Sequence, residues 1–326
     1  MPGNCQIPTP EAYVDQMLDY IGYSEDLYGK KVLENSCGEG NILLKIVMRY
    51  IESAKRQQRT NSEIKEGLQR DIVAYEIDNR CIEACKKRLD EFVNSCGIKN
   101  VNWNLNHKDF LNEKVTATYD YVVGNPPYIT YHDMDNEQRN LLKDNYETCK
   151  RGRSDYCYAF IEASIKSLAE TGKMVYLVPY SIMTNKFAET LRKFIQPHIR
   201  EIYDYRTIKI FPEAITSSVV IICEKKKDEK NISFHLVAEE RTLEIPKKQL
   251  GKKWVILGMQ NIKGRKFGEY FEVRNSVATL YNKAFVLTDY KYTGQDYVVG
   301  KHKIEGELVK DAVSTKKIGR ASCRER

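Results

Sequence analysis

The sequence predicts an α/β protein with a doubly wound, mostly parallel sheet. Short apolar stretches alternate with segments whose apolar residues recur at helical spacing over about the first 220 of the 326 residues. This alternation is typical of parallel strands joined by helices on both faces of a sheet. Tight turns follow two of the predicted strands, and the charged run 224–230 ends the pattern. Beyond that run the sequence predicts a second, truncated C-terminal domain.

The predicted elements follow in order from the first helix. Thr9 has the side chain of a helix N-cap and Pro10 suits the first helical position, so a helix is predicted to begin there. The strands are predicted at 30–35, 71–78, 101–105, 119–123, 173–178, 199–205 and 217–223. Between the strands, apolar residues at helical spacing predict helices at 43–50, 82–93, 161–168 and 184–196. The polar stretch 56–67 is predicted to be a surface loop.

Composition limits the class of protein. The formal charge of +7 and the pI of about 8.7 are compatible with a polyanionic partner, although many proteins without one are as basic. The apolar runs are too short to cross a bilayer, and the N-terminus lacks the pattern of a secretory signal. Nine cysteines show no metal-binding spacing, so the sequence predicts reduced thiols, no metal and a cytoplasmic protein.

A glycine-rich turn after the first strand is the first candidate site. Gly38 and Gly40 allow a sharp backbone turn and the close approach of a ligand. Glu76 ends the second strand, where a carboxylate can accept hydrogen bonds from both hydroxyls of a ribose. By itself, this pattern leaves two interpretations open: a nucleoside site, or an ordinary glycine turn with a surface glutamate. The full spacing of a dinucleotide-binding motif is absent.

The second candidate site is the tetrapeptide Asn125–Tyr128, which directly follows a predicted strand. An aromatic amine is a poor nucleophile because its nitrogen lone pair is delocalised into the ring. The amide oxygen of Asn125 and the carbonyl of Pro126 could each accept one amine hydrogen and favour the pyramidal nitrogen of the transition state. Pro127 stiffens the loop, and Tyr128 offers a face on which a base can stack. The alternative is a proline turn that caps a strand, but α/β proteins place their sites at the carboxyl ends of parallel strands.

Together these motifs resemble the gamma class of adenine-specific DNA methyltransferases, the Taq- and Eco57I-like group, over 9–223. The matching segments are Thr9-Pro10, Glu34, Glu76-Ile77, Asp109-Phe110 and Asn125-Pro126-Pro127-Tyr128. The resemblance implies the S-adenosylmethionine-dependent methyltransferase fold and S-adenosylmethionine as the cofactor. The residues that it assigns to cofactor binding are Thr9, Glu34, Ser36, Gly38, Gly40, Glu76, Ile77, Asp109 and Phe110. The residues that it assigns to catalysis are Asn125, Pro126, Pro127 and Tyr128.

Two further features fit a nucleic acid substrate. Phe211 resembles the second aromatic clamp of this family, which would pack on a flipped adenine opposite Tyr128. The alternative for Phe211 is an ordinary core residue. Lys150, Arg151 and Arg153 could contact phosphate, or they could only solvate a loop.

The resemblance implies a site-specific methyltransferase that methylates the N6 amino group of a flipped adenine in double-stranded DNA, within a restriction-modification system. A release-factor glutamine methyltransferase and an RNA methyltransferase are alternatives with the same fold. Glu34, Phe211 and the extra C-terminal residues weigh against the first of them. A non-catalytic DNA-recognition subunit is a third alternative, which the intact motif Asn125–Tyr128 disfavours. The enzyme is expected to be a monomer.

The predicted domains are a catalytic domain at 1–230, the start of a target-recognition domain at 231–316 and a tail at 317–326. The segment 278–287 resembles the opening of the recognition domain in Eco57I-like enzymes, and the tail resembles a translation of sequencing-adapter DNA. The sequence therefore predicts an incomplete recognition domain and weak or unspecific methylation by this chain. Because the cofactor helix begins almost at the first residue, any restriction endonuclease is expected to be a separate polypeptide.

Overall fold

The computed structural model describes residues 8–114, 116, 118–211, 217–256, 290–299 and 301–305. The chain divides into two compact units, Met1–Gln260 and Asn261–Arg326. The described strands of the first unit are β1 Val32–Glu34, β2 Ile72–Glu76, β3 Asn104–His107, β4 Tyr119–Gly124, β5 Leu168–Pro179, β6 Ile199–Asp204, β7 Ser218–Glu224, β8 Asn231–Leu236 and β9 Arg241–Pro246. Its described helices are α1 Glu11–Tyr20, α2 Asn41–Arg56, α3 Asn61–Asp71, α4 Asn79–Ser95, α5 Asn136–Asn145, α6 Tyr156–Ser167, α7 Ser181–Thr184 and α8 Glu189–Ile195.

These strands form one sheet in the order β3-β2-β1-β4-β5-β7-β6-β8-β9. β3, β2, β1, β4 and β5 are parallel neighbours, and β7 runs antiparallel between β5 and β6. Successive side chains point to opposite faces, so Val122 of β4 joins one apolar cluster and Val123 joins the other. Helices α5, α6 and α8 cover the first of these clusters, and α1 to α4 cover the second. The predicted doubly wound, mostly parallel sheet is confirmed.

Two local predictions in the N-terminal part are wrong. Pro10, and not Thr9, occupies the N-cap position of α1, and no side chain caps this helix. The stretch 56–67, predicted to be a loop, contains the start of α3, where Thr60 and Glu63 form a capping box. The Thr60 hydroxyl accepts from the Glu63 N–H at 3.3 Å, and the Glu63 carboxylate accepts from the Thr60 N–H at 2.8 Å. These reciprocal bonds satisfy donors of the first turn, so a largely polar segment can begin a helix.

The charged run 224–230 connects two strands of the same sheet. It leads from β7 to β8, which pairs with β6 in parallel register, with Glu201 opposite Ser233. β9 then adds an antiparallel strand at the sheet edge. The first compact unit therefore extends past the predicted boundary at Lys230, to Gln260.

In the second unit, the described residues form a three-stranded antiparallel sheet of β10 Lys291–Tyr292, β11 Asp296–Val299 and β12 His302–Glu305. The segment 278–287 and the tail 317–326 lie outside the described residues. The predicted recognition domain therefore stays a prediction. No helix in the described part of the chain combines the length and apolarity needed to span a membrane.

Candidate active site

The predicted site residues converge at one edge of the large sheet. β1, β2 and β4 are parallel, so their carboxyl ends lie side by side at what we call the carboxyl edge. The loops that leave these strands are joined by hydrogen bonds. The Gly38 N–H donates to Glu76 Oε2 at 2.9 Å, which links the first loop to the second. The Ser36 hydroxyl donates to the Asn125 carbonyl at 3.3 Å, which links the first loop to the third.

The glycine turn depends on backbone conformations that favour glycine. Gly38 has φ of 51° and Gly40 has φ of 83°, both in the left-handed region. A Cβ at Gly40 would also lie 2.5 Å from the Sγ of Cys85 in α4. Position 40 therefore needs glycine both for its dihedral angles and for the close approach of α4.

Glu76 attaches this turn to the end of β2. Its side chain is only 3% exposed, and its Oε1 accepts from the N–H groups of Ile77 and Asp78 at 2.8 and 3.0 Å. Together with the bond from Gly38, these contacts orient the carboxylate at the carboxyl edge. Ile77 beside it is 51% exposed, so its apolar side chain is accessible to a ligand. The pair is compatible with the predicted contacts to a ribose and an adenine ring.

Glu34 ends β1 beneath the turn and is buried. One carboxylate oxygen, Oε2, accepts no hydrogen bond from the described part of the chain. Burial raises the pKa of Glu34 well above its ordinary value, and the neighbouring Cys85 and Glu76 raise it further, while a bond from the Leu43 N–H opposes the rise. A buried acceptor of this kind suits a donor group on a ligand.

Replacement of Glu34 by Gln is expected to make stability less dependent on pH. The pKa of Glu34 is higher in the folded state than the ordinary value of 4.5. Folding therefore takes up a proton at any pH between 4.5 and the folded-state pKa. The resulting contribution to the free energy of unfolding is fully present below pH 4.5 and is lost as the pH rises through the folded-state pKa. Urea unfolding between pH 5 and pH 8 should show wild type losing stability relative to Glu34→Gln. A difference that does not change with pH would contradict the raised pKa.

Asn125 follows the carboxyl end of β4, and only one of the two polar atoms of its side-chain amide has a hydrogen-bond partner among the described residues. Nδ2 donates to the hydroxyl of Thr9 at 3.2 Å, although the two residues are 116 positions apart. Oδ1 is buried, and none of the described residues donates to it. Leaving a buried acceptor unpaired costs about 1–3 kcal/mol unless a ligand supplies the donor. The amide nitrogen of Asn125 is therefore engaged, and the amide oxygen is left able to accept a hydrogen bond.

The rest of the tetrapeptide is fixed by packing and by one hydrogen bond. The Tyr128 hydroxyl donates to the Leu177 carbonyl of β5 at 2.9 Å. Burial raises the pKa of Tyr128 well above its usual range, so this donor stays protonated at neutral pH. Pro126 is buried, and Pro127 and Tyr128 are half-buried. The stacking role of Tyr128 stays a prediction.

Three other predicted site residues form hydrogen bonds or apolar contacts within the chain. Asp109 accepts from the Leu111 N–H and from the Tyr156 hydroxyl, both at 2.9 Å. Phe110 is buried beside it. Phe211 is 3% exposed and belongs to the apolar cluster beneath α1 and α2, as its interpretation as a core residue predicts. The ligand contacts assigned to these three residues stay predictions.

Residues 30–211 match the family of Eco57I restriction-modification methylases. The chain belongs to this family. It is 29% identical over 234 residues to the type II methyltransferase M.BstVI of Geobacillus stearothermophilus, covering 68% of this chain and 42% of that protein. It is 31% identical over 196 residues to the type II methyltransferase M.PaeR7I of Pseudomonas aeruginosa, covering 57% of this chain and 34% of that protein. The chain thus spans about two fifths or less of the length of these relatives.

The fold of this family member is that of the S-adenosylmethionine-dependent methyltransferases. A Listeria monocytogenes protein assigned to class I of these enzymes superposes with a TM-score of 0.50 at 18% identity, covering 70% of this chain and 63% of the other. At this identity the likeness establishes the fold. Family and fold together imply S-adenosylmethionine as the cofactor.

A buried polar network in this Eco57I-family chain supports the glycine turn and is not predicted from the sequence. Asn35 Nδ2 donates to the Ser164 hydroxyl at 2.9 Å, and the Tyr176 hydroxyl donates to Asn35 Oδ1 at 2.6 Å. The hydroxyls of Ser164 and Tyr176 lie 2.6 Å apart and close the ring. The network joins the end of β1 to α6 and β5. A polar residue directly after an apolar strand, as Asn35 is, indicates that such a network is possible. Its partners could not be predicted, because they lie 129 and 141 positions away.

Proposed function

We propose that this chain transfers a methyl group from S-adenosylmethionine to the exocyclic N6 amino group of adenine in double-stranded DNA. The observation that supports this most directly is the buried Oδ1 of Asn125, which no described residue engages. It lies beside the glycine turn because Ser36 donates to the carbonyl of the same residue. An amine with two hydrogens supplies the donor that this oxygen lacks.

The residues at the carboxyl edge fit the cofactor. The unpaired buried oxygen of Glu34 suits a donor group, Glu76 suits the ribose hydroxyls, and the exposed Ile77 suits an adenine face. When bound, S-adenosylmethionine supplies an electrophilic methyl group. The turn through Gly38 and Gly40 leaves the backbone open to a close approach.

On the substrate side, Asn125 and Pro126 act on the nitrogen and need no strong base. The Asn125 amide oxygen accepts one amine hydrogen, and the Pro126 carbonyl accepts the other. Both bonds strengthen as the nitrogen becomes pyramidal and positively charged, so they stabilise the transition state more than the planar amine. The methylated nitrogen then releases one of its two hydrogens to solvent as a proton, which leaves the neutral methylated amine. The adenine reaches them by leaving the base stack, and Tyr128 and Phe211 then contact its two faces. The buried ring of Phe211 has to become accessible for this second contact.

We further infer the setting in which this activity operates. With DNA as its substrate, the enzyme acts in the cytoplasm of a prokaryotic cell, as a monomer, within a restriction-modification system. The segment beyond Gln260 contributes to target recognition.

Parallel methylation assays test the proposed function. Three separate reactions each contain tritiated S-adenosylmethionine and an excess of the chain over the substrate. The substrates are unmethylated bacterial DNA, ribosomal RNA and a release factor. Label should enter DNA and appear as N6-methyladenine after digestion to nucleosides. Label in RNA or release factor alone would support one of the alternative methyltransferases, and label in no substrate despite cofactor binding would support a non-catalytic recognition subunit.

Thr9→Val is expected to lower kcat about fivefold, the effect of losing one hydrogen bond of about 1 kcal/mol that orients the reacting amide. Thr9 is 3% exposed and accepts from Asn125 Nδ2, so valine removes the contact at nearly constant volume. Thr9→Ser retains the hydroxyl and should retain most of the rate. Calorimetric titration with S-adenosylmethionine separates this role from cofactor binding. A weaker affinity with an unchanged kcat would show that Thr9 serves the cofactor only.

A further inference from the structure

A short basic loop between α5 and α6 is exposed and lacks acidic partners. Lys150, Arg151 and Arg153 are exposed, as is Lys186 in the turn after α7. No carboxylate within the described ranges forms an ion pair with any of these four side chains. Arg153 reaches Nε2 of the His132 imidazole at 3.5 Å, a contact that does not neutralise its charge.

Three carboxylates that lie close to these basic residues in sequence have other partners, and Asp155 among them accepts hydrogen bonds from the Tyr131 N–H and the Tyr158 hydroxyl. Glu147 lies 3.8 Å from Lys166, and Glu189 lies 2.9 Å from Lys193. The positive charge of the loop is therefore left for a partner outside the described residues. This separates the loop from an ordinary solvated surface, where opposite charges alternate.

One end of the loop is attached beside the tetrapeptide Asn125–Tyr128. The Tyr156 N–H donates to the carbonyl of Ile129 at 2.9 Å, directly after the tetrapeptide. The Tyr131 N–H donates to Asp155 Oδ1 at 3.4 Å, two residues beyond Arg153.

The middle of the loop packs on the segment that follows β5. Gly152 has φ of 82°, and a Cβ there would lie 2.8 Å from the ring of Phe187. Phe187 follows the carboxyl end of β5, which is parallel to β4. The loop is therefore joined to the two segments that leave the carboxyl ends of β4 and β5, and the first of these segments begins with Asn125.

We propose that Arg151, Arg153 and Lys186 contact the phosphodiester backbone of the DNA strand that carries the target adenine. This inference rests on the proposed function and adds the surface that receives the strand. A nucleotide that rotates out of the stack leaves its flanking phosphates beside the site that receives the base. Guanidinium groups bind phosphate oxygens with two parallel hydrogen bonds, and ammonium groups bind them as point charges. Such contacts position the strand without reading its sequence.

The salt dependence of DNA binding tests this surface. The full chain is titrated into a fluorescent 30-base-pair duplex at several salt concentrations, as wild type and as Arg151→Ala/Arg153→Ala. The slope of log K against log salt is negative, and each lost phosphate contact reduces its magnitude by about 0.9. The slope of the double variant should therefore be shallower than that of wild type by about 2. The matched control is Lys226→Ala/Lys227→Ala, which removes the same charge from exposed residues after β7, at the opposite edge of the sheet. The control should keep the wild-type slope, and an equal loss in both variants would overturn the proposal.

A kinetic measurement separates this inference from the proposed function. With saturating S-adenosylmethionine, the arginine variant should raise the KM for DNA about tenfold at moderate salt and keep kcat at saturating DNA and low salt. Methylation of DNA by wild type together with an unchanged salt slope in the arginine variant would overturn the contact surface alone. Absence of methyl transfer to DNA by wild type would overturn the proposed function, whereas the salt slopes would still decide whether this loop binds phosphate.

Discussion

Asn125→Ala should lower kcat for DNA methylation at least about a hundredfold and leave the affinity for S-adenosylmethionine unchanged. The substitution removes a rigidly held acceptor whose oxygen no described residue engages. Loss of one such transition-state hydrogen bond costs about 3 kcal/mol or more. The Asn125 backbone carbonyl, which accepts from Ser36, is retained in the variant, so the link between the loops persists.

Single-turnover methylation and calorimetric titration measure the two quantities. Asn94→Ala is the matched control, because it makes the same change at an exposed position near the end of α4. Its rate should equal that of wild type. A near-normal rate for Asn125→Ala would exclude its amide from the mechanism, and a lost cofactor affinity would show that Asn125 belongs to the cofactor site instead.

The residues of the candidate site could be predicted where their chemistry is local in sequence. Asn125–Tyr128 follows a six-residue strand, and Gly38 and Gly40 follow another, so each motif and its place at a strand end were visible together. The contact between Thr9 and Asn125 could not be predicted, since it joins positions 116 residues apart and depends on how α1 meets β4. Burial of Phe211 likewise depends on tertiary packing, which is why two interpretations stayed open.

The errors in the fold have different physical causes. For α3 the signal was present, because Thr60 and Glu63 have the spacing of a capping box, but the polarity of the segment favoured a loop. For β8 the apolar residues Ile232, Phe234 and Leu236 alternate as in a half-buried strand. The charged run 224–230 before it has the composition of either a linker between domains or a turn within one domain, and the domain boundary was predicted there. Only the pairing of β8 with β6, a neighbour in space and not in sequence, decides between them.

Glu76→Ala should raise the Kd for S-adenosylmethionine at least about tenfold. Hydrogen bonds to a charged group contribute about 1.5–3 kcal/mol each, and 1.4 kcal/mol corresponds to a factor of ten in affinity. The substitution removes the predicted acceptor for the ribose hydroxyls. It also removes the carboxylate that accepts from the N–H groups of Gly38, Ile77 and Asp78, so the glycine turn loses its side-chain attachment to β2 and keeps the backbone bond from Cys37 to Tyr75.

Two variants and two measurements separate these direct and indirect effects. Glu83→Ala removes an exposed glutamate of α4 and should change neither affinity nor stability. Glu76→Gln keeps the shape of the side chain, but its amide nitrogen cannot accept, so it should bind the cofactor with intermediate affinity. Calorimetric titration gives the Kd, and urea unfolding gives the stability of the same samples. If Glu76→Ala lowers the free energy of unfolding while the folded protein keeps its wild-type Kd, the carboxylate only supports the turn, and the ribose must be bound by other groups at the carboxyl edge.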